Sequence, residues 1–262
     1  MSYIESILLG IVQGITEFLP ISSSGHLLIG RSLFDIKISD SGSFFEIFLH
    51  GGTLLSILFY WKNDLIENIR KNIRGNSNLF FNIIIGTIPA AIIGLLFKDK
   101  IDAYFFDVQN ISYLSLSYLF LAVILFLTKN KHKNIASSNT ILYKFALLIG
   151  IAQCFAIIPG ISRSGMTIAI AIFLGINKKV ATNFSFMLAI PILSFSFIGS
   201  LIDNLHLLNN NFWVLVLGFL SSFITGYFVI GLLVRMIENQ RLWYFSIYCL
   251  FISIVLGCYY GL

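Results

Sequence analysis

The sequence predicts an all-α integral membrane protein made of two inverted-topology repeats, each with one re-entrant helical hairpin and three transmembrane helices. Composition is the first reason, because 57% of the 262 residues are hydrophobic and only 11% are charged, unlike a soluble domain. The second reason is an internal duplication. The pattern GxxQxxxxxxxxSxSGxx occurs at residues 10–27 and again at residues 150–167, at a constant offset of 140.

Six apolar runs are long enough to cross a bilayer as helices. They cover residues 44–61, 79–97, 111–128, 183–203, 212–234 and 242–261. Two further apolar segments, 3–33 and 141–175, are interrupted in the middle by Pro, Gly and several Ser. Because non-helical backbone at membrane depth is tolerated only inside protein or beside a water-filled cavity, we predict that each segment is a re-entrant hairpin of two half-helices.

The whole chain is predicted to be one membrane domain. Its parts are repeat one (1–128), a linker (129–140) and repeat two (141–262). Matching residues extend the duplication, with Phe45 and Phe184 at an offset of 139, and with Gly86 and Gly94 paired with Gly218 and Gly226 at an offset of 132. An odd number of spans per repeat inverts the second copy, so the hairpins should meet near the midplane. We interpret the glycines as sites of close helix packing.

Basic residues indicate how the chain lies in the membrane, and we interpret the net charge of +5 in this way rather than as nucleic-acid binding. Four loops rich in Lys and Arg fall on one side, which should be cytoplasmic: 62–78, 129–140, 178–182 and 235–241. The opposite loops, 34–43, 98–110 and 204–211, contain as Lys or Arg only Lys37, Lys98 and Lys100. Both termini are therefore expected outside, with the first helix retained rather than removed as a signal peptide.

Gln13 and Glu17 are the first candidate site residues. They are four positions apart, so on a helix they share one face and can hold a common ligand such as a divalent cation. Pro20 should then end that helix. Polar groups are costly in such apolar surroundings, which makes them candidates for function.

The run Ser22-Ser23-Ser24-Gly25 follows the first break and can form a turn. Its hydroxyls and free backbone N–H groups would bind an anion, especially where the next half-helix begins. His26 comes at the start of that helix, where it could donate a proton to a leaving group.

Arg163 in the second hairpin aligns with Ser23 of the first. A guanidinium at membrane depth needs an anionic partner, and its geometry fits two phosphate oxygens at once. Glu17 has no acidic counterpart, since Ile157 occupies the equivalent position. One hairpin thus carries acid, hydroxyl and imidazole, and the other carries fixed positive charge, which indicates phosphate chemistry. The alternative is a purely structural ion pair between the hairpins.

These motifs resemble both signatures of the bacitracin-resistance type of undecaprenyl-diphosphate phosphatase, a bacterial integral membrane enzyme that recycles the lipid carrier of cell-wall synthesis. The first is (Glu/Gln)xxxGlu with the following Ser-Ser-x-Gly-His, here Gln13 to His26, and the second is PGxSRSGxT, here Pro159 to Thr167. The resemblance implies hydrolysis of undecaprenyl diphosphate to undecaprenyl phosphate and inorganic phosphate, and hence bacitracin resistance. It also implies a divalent cation (Mg²⁺ or Ca²⁺), the bacterial cell membrane as location, and lipids and a second copy of the chain as partners.

The same resemblance assigns roles to individual residues. The catalytic residues would be Glu17, Ser23, His26 and Arg163; the substrate-binding residues Ser22, Ser24, Ser162, Ser164 and Thr167; and the metal ligands Gln13, Glu17 and Glu46. Gln13 stands where many relatives have Glu, and Glu46 is the candidate for the compensating acid. His50 stands where Gln is usual, and no role is assigned to it.

Two alternatives stay open. Either Ser23 is the nucleophile, or Glu17 or the metal activates a water directly. The chain could also be a secondary transporter or a flippase for a lipid phosphate, since inverted repeats with broken helices are typical of transporters. The grouping of Glu, Ser and His within ten residues favours hydrolysis, because transport has no evident need for all three.

Overall fold

The computed structural model describes residues 1–33, 42–75, 78–105, 112–130, 141–204, 208–239 and 241–260, and over these ranges the chain is helical, with no strand. The helices, in chain order, are α1 (Tyr3–Thr16), α2 (Ser23–Leu33), α3 (Gly42–Tyr60), α4 (Lys62–Ile73), α5 (Leu79–Phe105), α6 (Leu114–Leu127), α7 (Tyr143–Cys154), α8 (Arg163–Phe173), α9 (Lys178–Asp203), α10 (Leu208–Glu238) and α11 (Tyr244–Tyr260).

Both predicted breaks are confirmed. The first hairpin segment forms α1 and α2, the second forms α7 and α8, and the two helices of each pair contact one another. Pro20 and Pro159 lie in the breaks, where a residue without an N–H cannot continue a helix. The chain then turns through a left-handed residue, Ser22 with φ of 68° in the first break and Gly160 with φ of 90° in the second.

The six predicted spans correspond to α3, α5, α6, α9, α10 and α11. Among the described residues, three helices are long and apolar enough to cross a membrane: 79–97 of α5, α9, and 212–238 of α10. The pair α3 and α4, bent by 71°, makes a fourth if it counts as one span. α6 and α11 are shorter, with 14 and 17 residues. The chain is thus a helical protein with several membrane-spanning helices.

Three predicted loops are wrong, and one of them, 178–182, forms the start of α9. The loop at 98–110 is helical up to Phe105, where α5 ends. The loop at 62–78 contains α4, in which Glu67 and Lys71 form an i,i+4 ion pair at 2.6 Å. Much of the predicted loop at 34–43 and nearly all of the linker at 129–140 lie outside the described residues.

Helices of the two repeats pack crosswise. α1 packs on α10, and its counterpart α7 packs on α5, the counterpart of α10; α6 packs on α11. Ser115 and Ser253 each donate to the other's backbone carbonyl oxygen, at 2.8 and 2.7 Å. The two halves of the chain therefore share one interior, which positions both hairpins together.

Glycines allow the closest of these approaches. A Cβ at Gly10 would overlap α10 at Gly218, and one at Gly150 would overlap the backbone of Gly86. The predicted close packing at Gly86 and Gly218 is confirmed, whereas at Gly94 it is wrong because no atom of the described residues lies within 4 Å of a Cβ there. Gly94 instead faces open space on α5.

Candidate active site

Glu17 lies at the centre of a polar cluster between the two hairpins. It directly follows α1, its backbone N–H donates to Gln13 O at 2.9 Å, and the residue is only 8% exposed. The Nη2 of Arg163, the first residue of α8, donates to Glu17 Oε1 at 2.6 Å. This buried ion pair joins the hairpins, as expected for a guanidinium that needs an anionic partner in an apolar interior.

Ser23 and Gln13 hold the other oxygen of the same carboxylate. Ser23, the first residue of α2, donates its hydroxyl to Glu17 Oε2 at 2.7 Å, and Gln13 Nε2 donates to the same atom at 3.1 Å. Gln13 is fully buried, and its Oε1 accepts no hydrogen bond from the residues that the structure describes. A buried polar atom left in this way costs about 1–3 kcal/mol, so it is a position where a ligand would be favourable.

Helix α3 adds His50 to the cluster. His50 Nε2 lies 3.5 Å from Glu17 Oε2, and His50 Nδ1 lies 2.8 Å from the backbone carbonyl oxygen of Glu46. The Glu46 side chain accepts from Arg31 Nη1 at 2.9 Å through Oε1. The predicted metal ligand Glu46 is thus paired with a basic residue, while His50, which had no assigned role, contacts the central carboxylate.

Arg163 has a second support on α9. Its Nη1 donates to the backbone oxygen of Ser185 at 3.4 Å, and the Ser185 hydroxyl lies 2.6 Å from Thr167 Oγ1. Sequence reasoning missed Ser185, although the offset of 139 between Phe45 and Phe184 places Ser185 opposite Glu46 in the duplication. That alignment was the signal that could have found it.

Hydroxyl groups in the second break stabilise the start of α8. Ser162 is its N-cap, accepting from Gly165 N at 3.1 Å, and its Oγ lies 3.1 Å from Ser164 Oγ. Ser164 donates to Phe18 O in the first hairpin at 3.0 Å. These hydroxyls therefore also hold the two hairpins together.

Ser22 has the matching position in the first break. Its Oγ accepts from Gly25 N at 3.4 Å, and from Gly160 N of the other hairpin at 3.0 Å. Ser24 Oγ lies 3.3 Å from the same atom. The predicted starts of the two second half-helices are confirmed, and each begins beside the other.

His26 lies between two tyrosines that sequence reasoning did not single out. Its Nδ1 is 2.7 Å from Ser22 O and 2.9 Å from the hydroxyl of Tyr118, which is fully buried on α6. Its Nε2 is 2.7 Å from the hydroxyl of Tyr248 on α11, whose ring stacks on the imidazole. Since a carbonyl oxygen only accepts, Nδ1 carries a proton, and in the neutral ring Nε2 accepts from Tyr248. A tyrosine in an apolar helix gave no pattern that could have revealed this arrangement.

The structure brings together four predicted site residues: Gln13, Glu17, Ser23 and Arg163. It does not join His26 to them, because among the described residues His26 hydrogen-bonds only Ser22, Tyr118 and Tyr248. The cluster combines one carboxylate, one hydroxyl and one guanidinium. A hydroxyl that donates to a carboxylate beside a fixed positive charge is suited to attack on an anionic phosphorus centre.

A family comparison shows which known proteins the chain is related to. The profile of the family described as "Bacitracin resistance protein BacA" matches residues 6–255, which is nearly the whole chain. The chain belongs to this family. The match extends across both hairpins and all the helices that contact them, so it includes every member of the polar cluster.

Individual members of the family are similar to the chain over nearly their full length. A protein of Methanobrevibacter smithii named undecaprenyl-diphosphatase is 32% identical, covering 97% of this chain and 96% of its own. Undecaprenyl-diphosphatase 1 of Pseudoalteromonas translucida is 36% identical, covering 97% of each chain. The undecaprenyl-diphosphatase of Methanococcus maripaludis is 39% identical, covering 95% of this chain and 97% of its own.

Proposed function

We propose that this chain is a membrane phosphatase that hydrolyses undecaprenyl diphosphate to undecaprenyl phosphate and inorganic phosphate. Membership of the bacitracin-resistance family and the names of its relatives support this substrate. The observation that carries the proposal is the convergence of Ser23 and Arg163, from different hairpins, on the two oxygens of Glu17. Regenerating the lipid carrier of the cell wall in the cell membrane would confer bacitracin resistance.

In the proposed reaction Arg163 binds oxygens of the diphosphate and neutralises their charge. Glu17 accepts the proton of Ser23, whose Oγ forms a bond to the terminal phosphorus. The bond from that phosphorus to the bridging oxygen breaks, and undecaprenyl phosphate leaves. Water then hydrolyses the phosphoserine, which releases inorganic phosphate and restores Ser23. The 2.7 Å hydrogen bond from Ser23 to Glu17 favours this route over a water activated by Glu17 alone.

His26 is the proposed proton donor to the leaving oxygen. It lies one turn along α2 from Ser23, and Ser22 and the two tyrosines hold its ring. The proton that His26 gives to the leaving oxygen would be the one on Nδ1. Alternatively, it would come from the Tyr248 hydroxyl, which is hydrogen-bonded to Nε2.

The remaining predicted residues are proposed to contact the phosphate groups. These hydroxyls lie at or near the starts of α2 and α8: Ser22, Ser24, Ser162, Ser164 and Thr167. Both helix starts direct backbone N–H groups and partial positive charge toward the junction of the hairpins. An anion between them would be neutralised from both repeats.

A divalent cation, Mg²⁺ or Ca²⁺, fits this site only as an ion shared with substrate. No group of three or more His, Cys, Asp or Glu suited to hold a metal occurs in the described part of the chain. The proposed ligands are Glu17 and Oε1 of Gln13, which has no partner among the described residues, with Glu46 as a third. An ion such as Mg²⁺ commonly takes one or two carboxylates and completes its shell with phosphate oxygens and water. When bound, it would neutralise charge that develops on the phosphate.

The proposed membrane arrangement is an inverted repeat with six spans and both termini outside. The crosswise packing of α1 on α10 and of α7 on α5 supports it, because exchanging the two repeats exchanges these contacts. The mutual hydrogen bonds of Ser115 and Ser253 agree with the same exchange. Transporters share this architecture, so it does not distinguish a phosphatase from a transporter. A measurement of phosphate release does.

Release of phosphate from a prenyl diphosphate by the purified protein in detergent tests the proposal. We expect release that EDTA abolishes, and a loss of about 10²-fold or more in Glu17→Ala and Arg163→Ala, because each change leaves a buried charge unpaired and removes a catalytic group. Lys71→Ala, on the exposed face of α4, is the control and should retain full activity. No release from a well-folded preparation would reject the phosphatase in favour of lipid-phosphate translocation.

Ser23→Ala separates the two nucleophiles. If Ser23 forms the covalent intermediate, we expect this variant to lose activity as fully as Glu17→Ala, and ³²P from a labelled terminal phosphate to remain bound to quenched wild-type protein. Retained activity in Ser23→Ala would instead assign the attack to water.

A further inference from the structure

His50 has a fixed ring orientation at the centre of the site. It lies on α3, and its Nδ1 is 2.8 Å from the backbone oxygen of Glu46, one turn earlier in the helix. Because that oxygen can only accept, Nδ1 carries the proton, and the lone pair of the neutral ring is on Nε2. An imidazole held by a carbonyl through one nitrogen, with the other nitrogen facing a carboxylate, is an arrangement typical of a histidine that ligates a metal.

In the neutral ring, His50 Nε2 faces Glu17 Oε2, and both atoms are hydrogen-bond acceptors. Nε2 lies 3.5 Å from Glu17 Oε2, which already accepts hydrogen bonds from Ser23 and Gln13. The negative charge of Glu17 is matched by Arg163 at 2.6 Å, so the carboxylate needs no second cationic side chain. Two atoms bound to one ion at about 2.1 Å are separated by roughly 3.0 Å at a right angle and roughly 3.4 Å at a tetrahedral angle. The spacing of Nε2 and Oε2 is therefore close to that of two ligands of one ion.

Gln13 provides a third, independent observation. Its Oε1 is buried without a partner in the described part of the chain, while its Nε2 lies 3.1 Å from the same Glu17 Oε2. Turning the amide over exchanges these two atoms and places an oxygen at a distance expected for neighbouring ligands. It also removes the donor that competes for a lone pair of Oε2.

From this geometry we infer that His50 Nε2 is a ligand of the divalent cation, together with Glu17 Oε2 and Gln13 Oε1. The site then offers one imidazole nitrogen beside its oxygen ligands, and imidazole suits transition metals such as Fe²⁺ or Zn²⁺ better than it suits Mg²⁺ or Ca²⁺. This inference rests on the proposed function for the place of the cation and adds a nitrogen ligand to that site.

Pulsed electron paramagnetic resonance of bound Mn²⁺ tests the inference without relying on turnover. The purified protein in detergent is loaded with Mn²⁺, alone and with the non-hydrolysable anion methylenediphosphonate, and ¹⁴N modulation of the spin echo is recorded. We expect modulation from one imidazole in the wild type, its loss in His50→Gln, and its replacement by a ¹⁵N signal after labelling with ¹⁵N-histidine. His50→Gln should also weaken Mn²⁺ binding about tenfold or more and Mg²⁺ binding less.

His26→Gln is the matched control, because both ring nitrogens of His26 already have partners in Ser22, Tyr118 and Tyr248. The imidazole signal should persist in this variant. Loss of the signal in His26→Gln but not in His50→Gln, absence of ¹⁴N modulation in the wild type, or absence of Mn²⁺ binding under both conditions would each overturn the inference. Phosphate release measured on the same samples reports separately on the proposed function, since cation-dependent release without a His50 signal leaves the phosphatase intact.

Discussion

Ser22 connects the two hairpins while its own backbone is strained. It has φ of 68°, which costs a residue with a Cβ roughly 1–2 kcal/mol, and its Oγ accepts from Gly160 N across the junction. Ser22→Ala keeps the strain and leaves that N–H unsatisfied, so we expect a loss of about 1–3 kcal/mol in free energy of unfolding. Ser22→Gly loses the same hydrogen bond but relieves the strain. In reversible unfolding by SDS, the Gly variant should be more stable than the Ala variant by about 1 kcal/mol; equal stabilities would contradict the role of strain.

Tyr248 is expected to act through His26 rather than on substrate directly. Its hydroxyl donates to Nε2 at 2.7 Å, so Tyr248→Phe leaves Nε2 without its hydrogen-bond partner while Ser22 and Tyr118 still contact Nδ1. We expect kcat to fall about tenfold with KM nearly unchanged, because one oriented proton donor contributes about 10²-fold or more when fully effective. In a His26→Gln background the same change should have no further effect. Additive losses in the double variant would show that Tyr248 acts independently of His26.

The ion pair of the site could be predicted from sequence, because an unpaired charge in an apolar interior has a high free energy. Glu17 and Arg163 each require a partner of opposite charge in such an interior, and they form an ion pair with one another. The contacts of His50 and Ser185 depend on how α3 and α9 turn about their axes beside the hairpins, which no local pattern specifies. The position of His26 beside Tyr118 and Tyr248 depends on the packing of α6 and α11 in the same way.

At the level of helices, the sequence predicted the breaks within the two hairpins more accurately than the positions where other helices end. Proline and a left-handed residue interrupt both hairpins, and these effects act within a few residues. The ends of helices outside apolar segments depend on small differences in helix preference between residues. α5 therefore continues past the end of its apolar segment to Phe105. α4 was missed because it buries no residue, and its apolar positions Ile66, Ile69 and Ile73 lie along one side of an otherwise polar helix.

Gly150 and Gly94 differ in their surroundings, so the close approach of helices can be tested by replacing each with Ala. A Cβ at Gly150 on α7 would overlap the carbonyl of Gly86 on α5, so Gly150→Ala should lower the free energy of unfolding by about 1–3 kcal/mol. Gly94, also on α5, has open space, and Gly94→Ala should raise it by about 0.5–1 kcal/mol by limiting the unfolded chain. Unfolding by SDS measures both. A Gly150→Ala protein as stable as the wild type would show that α5 and α7 are not in such close contact.

The whole molecule forms its site only by combining the two repeats. One repeat supplies the acid and the hydroxyl, the other supplies the guanidinium, and each hairpin packs on a long helix of the opposite repeat. A site divided in this way requires the two hairpins to meet, which the proposed inverted arrangement would allow. The distribution of charge on the described helices is consistent with such an arrangement, since Lys62, Arg70 and Lys71 lie on α4 and Arg235 lies in the last turn of α10.

Labelling of single cysteines from outside intact cells tests this arrangement. Starting from a variant in which Cys154, Cys249 and Cys258 are replaced by Ser or Ala, one cysteine is placed at Ser2, before α1, or at Lys71 on α4. Since basic loops are retained in the cytoplasm, we expect a membrane-impermeant maleimide to label Ser2→Cys in intact cells and Lys71→Cys only after lysis. Labelling of Lys71→Cys but not of Ser2→Cys would reverse the orientation of the chain. Equal labelling of both in intact cells would place α4 and the N-terminus on one side, which is incompatible with a re-entrant first hairpin followed by a single crossing through α3.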